Sequence, residues 1–369
     1  MPNNLAKKIS LAAVFLTFLT LLTSATPISR ASSEELSASK KIALVKTING
    51  AIAPKSVEAS NSGLVSAHNM MYRHSVTLYN AQTMELEATI PDSVRLSDFG
   101  YTKYSGRYRG SPVEGAFSPD GDYLYFTNYA MYGKGFNREG TDTCSPSDNY
   151  DKSFLSRVNL SDKKIDAVYP VGSVPKVVKV SPDNKYILVS NWCSYTVSII
   201  SVEEQAVVKT IKIGRYPRGI AITSDSKYAY VAEMGGNQIH QINLEDFSVN
   251  YIPIGSNPRA IVLSPDNLKL YATLNISGKV IAWDLVANKA IKSVATGKSA
   301  RSLAISKDGS ALYVVNFRSG TLSVVGTESM KVLQNVKVCS EPIGVTYDET
   351  ESKIWVACYG GSIKVFASQ

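Results

Sequence analysis

From Pro175 onward the chain repeats one pattern at a nearly constant interval, and that interval limits what it can fold into. Pro175 opens PKVVKVSPDNKYILVSN, Pro217 opens PRGIAITSDSKYAYVAE, Pro258 opens PRAIVLSPDNLKLYATLN, Ala300 opens ARSLAISKDGSALYVVN and Pro342 opens PIGVTYDETESKIWVAC. These anchors lie 42, 41, 42 and 42 residues apart, the period of propeller blades rather than of helical solenoids. Each unit reads as an apolar strand, a Pro-Asp-Gly type turn and a Tyr/Val-rich strand. Two further apolar strands follow, such as Thr196–Ser201 and Val207–Ile213. Four strands make one blade.

Pro112 (PVEGAFSPDGDYLYFTN) and Pro54 (PKSVEASNSGLVSAHN) extend the frame to seven units. The last unit ends after three strands, at Ser362–Ser368. Ile42–Ile48 (IALVKTI) precedes Pro54 as AVVKTI precedes Pro217. It is therefore expected to supply the missing outer strand and to remove an open edge. The predicted architecture is an all-β, single seven-bladed propeller over 42–369.

The tetrapeptides Tyr125-Phe-Thr-Asn128, Leu188-Val-Ser-Asn191, Tyr230-Val-Ala-Glu233 and Tyr313-Val-Val-Asn316 recur at the end of the second strand, with turns such as Ser118-Pro-Asp-Gly121 and Ser264-Pro-Asp-Asn267. In these features residues 42 to 369 resemble the YVTN-repeat β-propellers, WD40-like in outline, which include the YncE-like extracytoplasmic proteins. The resemblance implies the fold. Function has to be read from individual residues, because propellers host binding modules, hydrolases and lyases alike.

Residues 1–31 stand outside the ring. Lys7 and Lys8, the apolar run Ile9 to Ala25 and Ser29-Arg30-Ala31 have the layout of a secretory signal; an uncleaved membrane anchor is the competing reading. Residues 32–41 read as a tether. Export to the periplasm, cell surface or medium agrees with the four cysteines. In a four-stranded blade the B–C loops and the D–A connections emerge on one face, here called the top. Cys144 and Cys193 fall in B–C loops of neighbouring blades, whereas Cys339 and Cys358 lie around blade seven. This placement favours Cys144–Cys193 and Cys339–Cys358, with a merely buried Cys358 as the alternative.

Three features converge on the top face. The residues after the anchors are Lys55, Val113, Lys176, Arg218, Arg259, Arg301 and Ile343, five of them basic, and all are expected at the mouth of the central channel. Like charges around one opening repel unless an anion or internal carboxylates offset them; Glu114 and Glu233 are the internal candidates. The second feature is a pair of insertions, Asp92–Gly110 and Tyr129–Asp151. The third is the mixture of aromatic and basic residues in these loops (Tyr101, Lys103, Tyr104, Arg107, Tyr108, Arg109, Tyr129, Tyr132, Lys134, Phe136, Arg138). Beside them would lie Trp192 and blade one's His68, Tyr72, Arg73 and His74. Such mixtures suit stacking with charge neutralisation, and packing between blades is the structural counter-reading for the tyrosines.

These residues predict a non-enzymatic binding propeller that captures an anionic small molecule, an envelope polymer or a partner protein. Lys55, Lys176, Arg218, Arg259 and Arg301 would attract the ligand. Tyr72, Tyr129, Tyr132 and Trp192 would offer stacking area, and Asn128, Asn191 and Asn316 would fix loop geometry. The alternative is a hydrolase or lyase using His68 or His74, with or without a metal near Asp142, Asp148 or Glu114. The H-x₅-H spacing matches no strong metal signature. No phosphate-binding Gly-rich loop, nucleophile elbow or CxxCH is present, so no catalytic residue, metal or cofactor is assigned. Nucleic acid ranks second among partners: the formal charge is +8, but Lys7, Lys8 and Arg30 would leave with the signal. A membrane contact is expected only through the N-terminal segment, and a closed ring is expected to be monomeric.

Overall fold

The computed structural model describes residues 41–368; the expected signal segment and most of the expected tether lie outside the described residues. Twenty-eight strands form seven antiparallel four-stranded sheets. Each of the first six sheets uses four consecutive strands. Blade three, for example, comprises Pro175–Val180, Tyr186–Asn191, Thr196–Ser201 and Ala206–Lys212. Blade seven takes Pro342–Asp348, Lys353–Cys358 and Ser362–Ser368 from the C-terminus and Ile42–Ile48 as its outer strand, paired from Ile42↔Ser368 to Ile48↔Ile363. The ring is closed as the repeat count requires, and no helix of the described residues is long and apolar enough to cross a membrane.

The blades are held apart by apolar layers. Val178, Ile187, Val189 and Ile200 of blade three pack against Tyr125, Leu155 and Tyr169 of blade two; Leu188, Val197 and Ile199 pack against Ile220, Val231 and Ile242 of blade four. Successive strand residues point to opposite sides, so each blade serves both neighbours, and its two middle strands are largely buried. The outer strands are half exposed. The A–B turns share one device: Ser118, Ser181, Ser264 and Ser306 each donate to the Asp two residues on, at 2.5–2.6 Å. The next residue is left-handed (Gly121 φ 81°, Asn184 φ 58°, Asn267 φ 59°, Gly309 φ 71°), which is why Gly or Asn recurs there.

A second device ties the strand B end to the top loops in most blades. Asn69, Asn128, Asn191 and Asn316 are wholly buried. Asn191 donates to Thr196 and Ser198 and accepts from the Gly172 backbone; Asn316 donates to Thr321 and Ser323. Asn191 and Asn316 lie so close to Gly172 and Gly297 that a Cβ on either glycine would come within 2.6–2.8 Å of the side chain. In blade four Glu233 takes this place and accepts from the Arg215 backbone. In blade seven Cys358 takes it, and Cys339, at the glycine position, is its disulfide partner. Both disulfides pair as expected, Cys144–Cys193 and Cys339–Cys358, and suit an oxidising compartment.

Candidate functional site at the channel mouth

Local backbone structure aims the basic column. The first strand pairs with the second through a bulge immediately after the anchor in blades three to six, between Pro175/Val178, Pro217/Ile220, Pro258/Ile261 and Ala300/Ser302. A bulge re-aims the residue inside it, and those residues are Lys176, Arg218, Arg259 and Arg301. In the same four blades the residue before the anchor is left-handed: Val174 (φ 53°), Tyr216 (φ 59°), Asn257 (φ 58°) and Ser299 (φ 60°). For a β-branched valine this conformation is strained, and such strain persists where the surrounding structure over-determines it. Lys55 joins the ring from blade one without a bulge.

Lys55, Arg218, Arg259 and Arg301 line the central channel with Glu114, above an apolar wall that includes Val57, Ile261 and Val345; the cavity there measures about 90 Å³. Lys176, Arg218 and Arg259 are 5–6% exposed. Lys176 Nζ lies 3.1 Å from Asp142 Oδ1 and 4.3 Å from the Tyr129 ring centre. Arg218 Nη2 lies 2.5 Å from Glu114 Oε1. The other three have no carboxylate within 4 Å among the described residues. Arg301 lies 3.9 Å over Phe317 and Lys55 lies 5.1 Å over Tyr359, while Arg259 donates to the Arg301 carbonyl. Arg218 Nη1 and Arg301 Nε are buried without an acceptor. Deeper in the channel, Lys179 of blade three pairs with Glu58 of blade one.

The charges feel one another. Burial pushes the Lys176 ammonium down to about 8 despite Asp142, with Arg218 and Arg259 adding to the fall. Burial, then Lys176 and the three arginines, hold Lys55 well below the ordinary lysine range. Burial, then Arg218 and Arg301, do the same to Arg259. The site is costly without an anion, because buried cations need compensating charge.

The remaining predicted residues are placed differently. Tyr129 and Trp192 are 8% and 7% exposed. Trp192 stacks on Tyr216 at 4.4 Å and donates to the Asp142 carbonyl, so both rings hold Lys176 and its loop rather than offering open area. Tyr72, 89% exposed, and Arg73 stand free on the rim. Tyr132 bonds Glu139 and packs beside His74. The two insertions pack on each other: Tyr104 stacks on Phe136 at 4.9 Å, and Tyr108 is buried with Leu96, Met131 and Phe154. Burying aromatic area outweighs exposing it, which is why their aromatic rings form a satellite core.

His68 is wholly buried; Ser56 Oγ lies 2.9 Å from its Nδ1, and burial pushes its pKa down to about 3. His74 lies 2.6 Å from the Gly110 carbonyl and 3.5 Å from Asp92, and the Asp92 hydrogen bond raises its pKa. The two histidines thus serve separate partners. Asp142 faces Lys176, and Glu233 pairs with His240 at 3.1 Å rather than with the ring. Among the described residues no group of three His, Cys, Asp or Glu is placed to hold a metal ion.

Sequence reasoning missed Phe317 and Tyr359. They belong to a column that the repeat displays, the residue following strand B: Met70, Tyr129, Trp192, Met234, Asn275, Phe317 and Tyr359. Four are aromatic, and each faces a cation of the ring.

Residues 149–305 match the family of the YNCE-like beta-propeller. No curated protein matches the chain. Among solved structures the chain is similar to Kuenenia stuttgartiensis hydrazine synthase, with 16% identity, a TM-score of 0.66, and coverage of 85% of this chain and 95% of that one. At that identity the likeness is one of fold.

Proposed function

We propose that the chain is an extracytoplasmic, non-enzymatic binding propeller that takes an anionic ligand at the top mouth of its channel. One observation carries the reading: five cations converge on one opening, and only two of them face a carboxylate. Arg218 Nη1 and Arg301 Nε keep buried donors without acceptors, and a buried donor left unpaired costs roughly 1–3 kcal/mol. An oxyanion seated among them would satisfy the donors and neutralise the repulsion. The about 90 Å³ cavity is well below the roughly 300–1,000 Å³ of drug-sized sites. It suits one compact group, such as a phosphate, sulfate or carboxylate, whether free or at the end of something larger.

The two disulfides support an oxidising compartment. The hydrolase or lyase alternative needs His68 or His74 to reach a ligand, but His68 is wholly buried and His74 is engaged by Gly110 and Asp92. The test is thermal stabilisation of the oxidised protein by phosphate, sulfate, sugar acids and divalent metals, at low and high salt. Salt-sensitive stabilisation by anions supports the proposal. Stabilisation by a metal alone would overturn it.

A further inference from the structure

The positive charge does not stop at the mouth. Between residues 285 and 337 the sequence holds eight Lys and Arg against Asp308 and Glu328. Asp308 sits in an A–B turn on the opposite face, beside Lys307, which lines the lower opening. On top, Phe317 carries Arg301 at the mouth, and the next residue, Arg318, is exposed. From there Arg318 and Lys337 line two shallow adjoining grooves, of about 290 and 510 Å³, the second also bounded by Lys298, Thr321 and Asn335. Lys298, Arg318 and Lys337 are all exposed, and none has a carboxylate within 4 Å among the described residues.

We infer that this strip over blade six is a track for a linear polyanion without bases, whose terminal anionic group enters the channel mouth. The inference rests on the proposed anion site and names its ligand class. Cations left unpaired along a groove attract successive anionic groups by releasing their counterions. Ser319, Thr321 and Asn335 add hydrogen-bonding side chains suited to phosphate or sugar oxygens. No residue lining either groove is aromatic, whereas single-stranded nucleic acid is gripped chiefly by stacking its bases. The track therefore fits an acidic polymer such as a chain of phosphates.

The experiment measures affinity for orthophosphate, tripolyphosphate and long linear polyphosphate, across salt, in the wild type, R318A/K337A and R218A/R259A. Affinity should rise with chain length in the wild type. R318A/K337A should bind long polyphosphate about tenfold more weakly and, with two cations removed, lower the salt slope by about 1.4, while binding orthophosphate as before. R218A/R259A should lose both. Wild-type affinity of R318A/K337A for the long chain, or no length dependence, would overturn the track and leave the mouth site standing. Unchanged orthophosphate binding in R218A/R259A would overturn the mouth itself. Tighter binding of a single-stranded oligonucleotide than of polyphosphate of equal charge would overturn the choice of a base-free polymer. A wild type that binds none of these probes would overturn both.

Discussion

Arg218 of blade four reaches Glu114 of blade two at 2.5 Å, past the intervening blade, so one carboxylate serves one cation of a ring of five. Glu114 thus plays two opposed roles: it stabilises the empty ring and competes with any anion that enters. E114Q should lower stability in anion-free buffer by roughly 1–3 kcal/mol, because Arg218 exchanges a charged acceptor for a neutral amide oxygen and its buried charge is left uncompensated. The same change should tighten phosphate binding severalfold. Denaturant melts with and without phosphate check both signs; weaker binding in E114Q would place the ligand away from Arg218.

Arg259 is buried, has no carboxylate partner and lies among like charges. A buried cation without a carboxylate is costly to desolvate, and an apolar side chain of similar volume carries no such cost. R259M should therefore raise the melting temperature in low-salt buffer while abolishing stabilisation by phosphate, as a trade-off between stability and function would. A fall in melting temperature would show that Arg259 is already satisfied within the fold.

Lys176 titrates at about 8 against an ordinary 10.5. Between those values the unfolded chain binds more protons than the folded one, so this residue makes stability rise with pH across that window. Below about 8 its penalty is fully present. Anion affinity should move the other way, falling as pH passes upward through about 8. Titrations at pH 7 and pH 9 should show the drop in the wild type and a smaller one in K176Q. A pH-independent affinity would remove Lys176 from the site.

The Cys339–Cys358 pair occupies the node that Gly172–Asn191 and Gly297–Asn316 fill elsewhere. C339A/C358A should lose roughly 2–4 kcal/mol. C339G/C358N, which restores the repeat's own solution, should recover part of that loss. Equal melting temperatures for the two variants would mean that the node is specific to its blade.

The architecture was legible because each blade spells out the same strands, turn and anchor, and because Ile42–Ile48 carries the outer-strand pattern that blade seven lacks. The basic column came from the same alignment, and the structure gives it a mechanism in the bulge and the left-handed residue beside the anchors of blades three to six. Other features lie beyond what a repeat can show. Asp142 reaches Lys176 because Cys144–Cys193 pins a non-repeating insertion to blade three. Tyr129 and Trp192 look like exposed loop aromatics in sequence, yet Lys176 and Tyr216 cover them. His68 is sealed because Leu64–Asn69 is a middle strand buried on both sides, with Gly115 of blade two packed against its ring. Glu233 was offered to the ring, but His240, across the strand pair, claims it. The column containing Phe317 and Tyr359 could have been read; it follows strand B in every unit.

Calorimetric titration of phosphate into the oxidised wild type and R218A/R259A tests the central claim most directly. The account predicts saturable, salt-weakened binding to the wild type and at least about a tenfold loss in the variant, since each charge-assisted contact contributes about 1.5–3 kcal/mol. Equal binding by both proteins would contradict it.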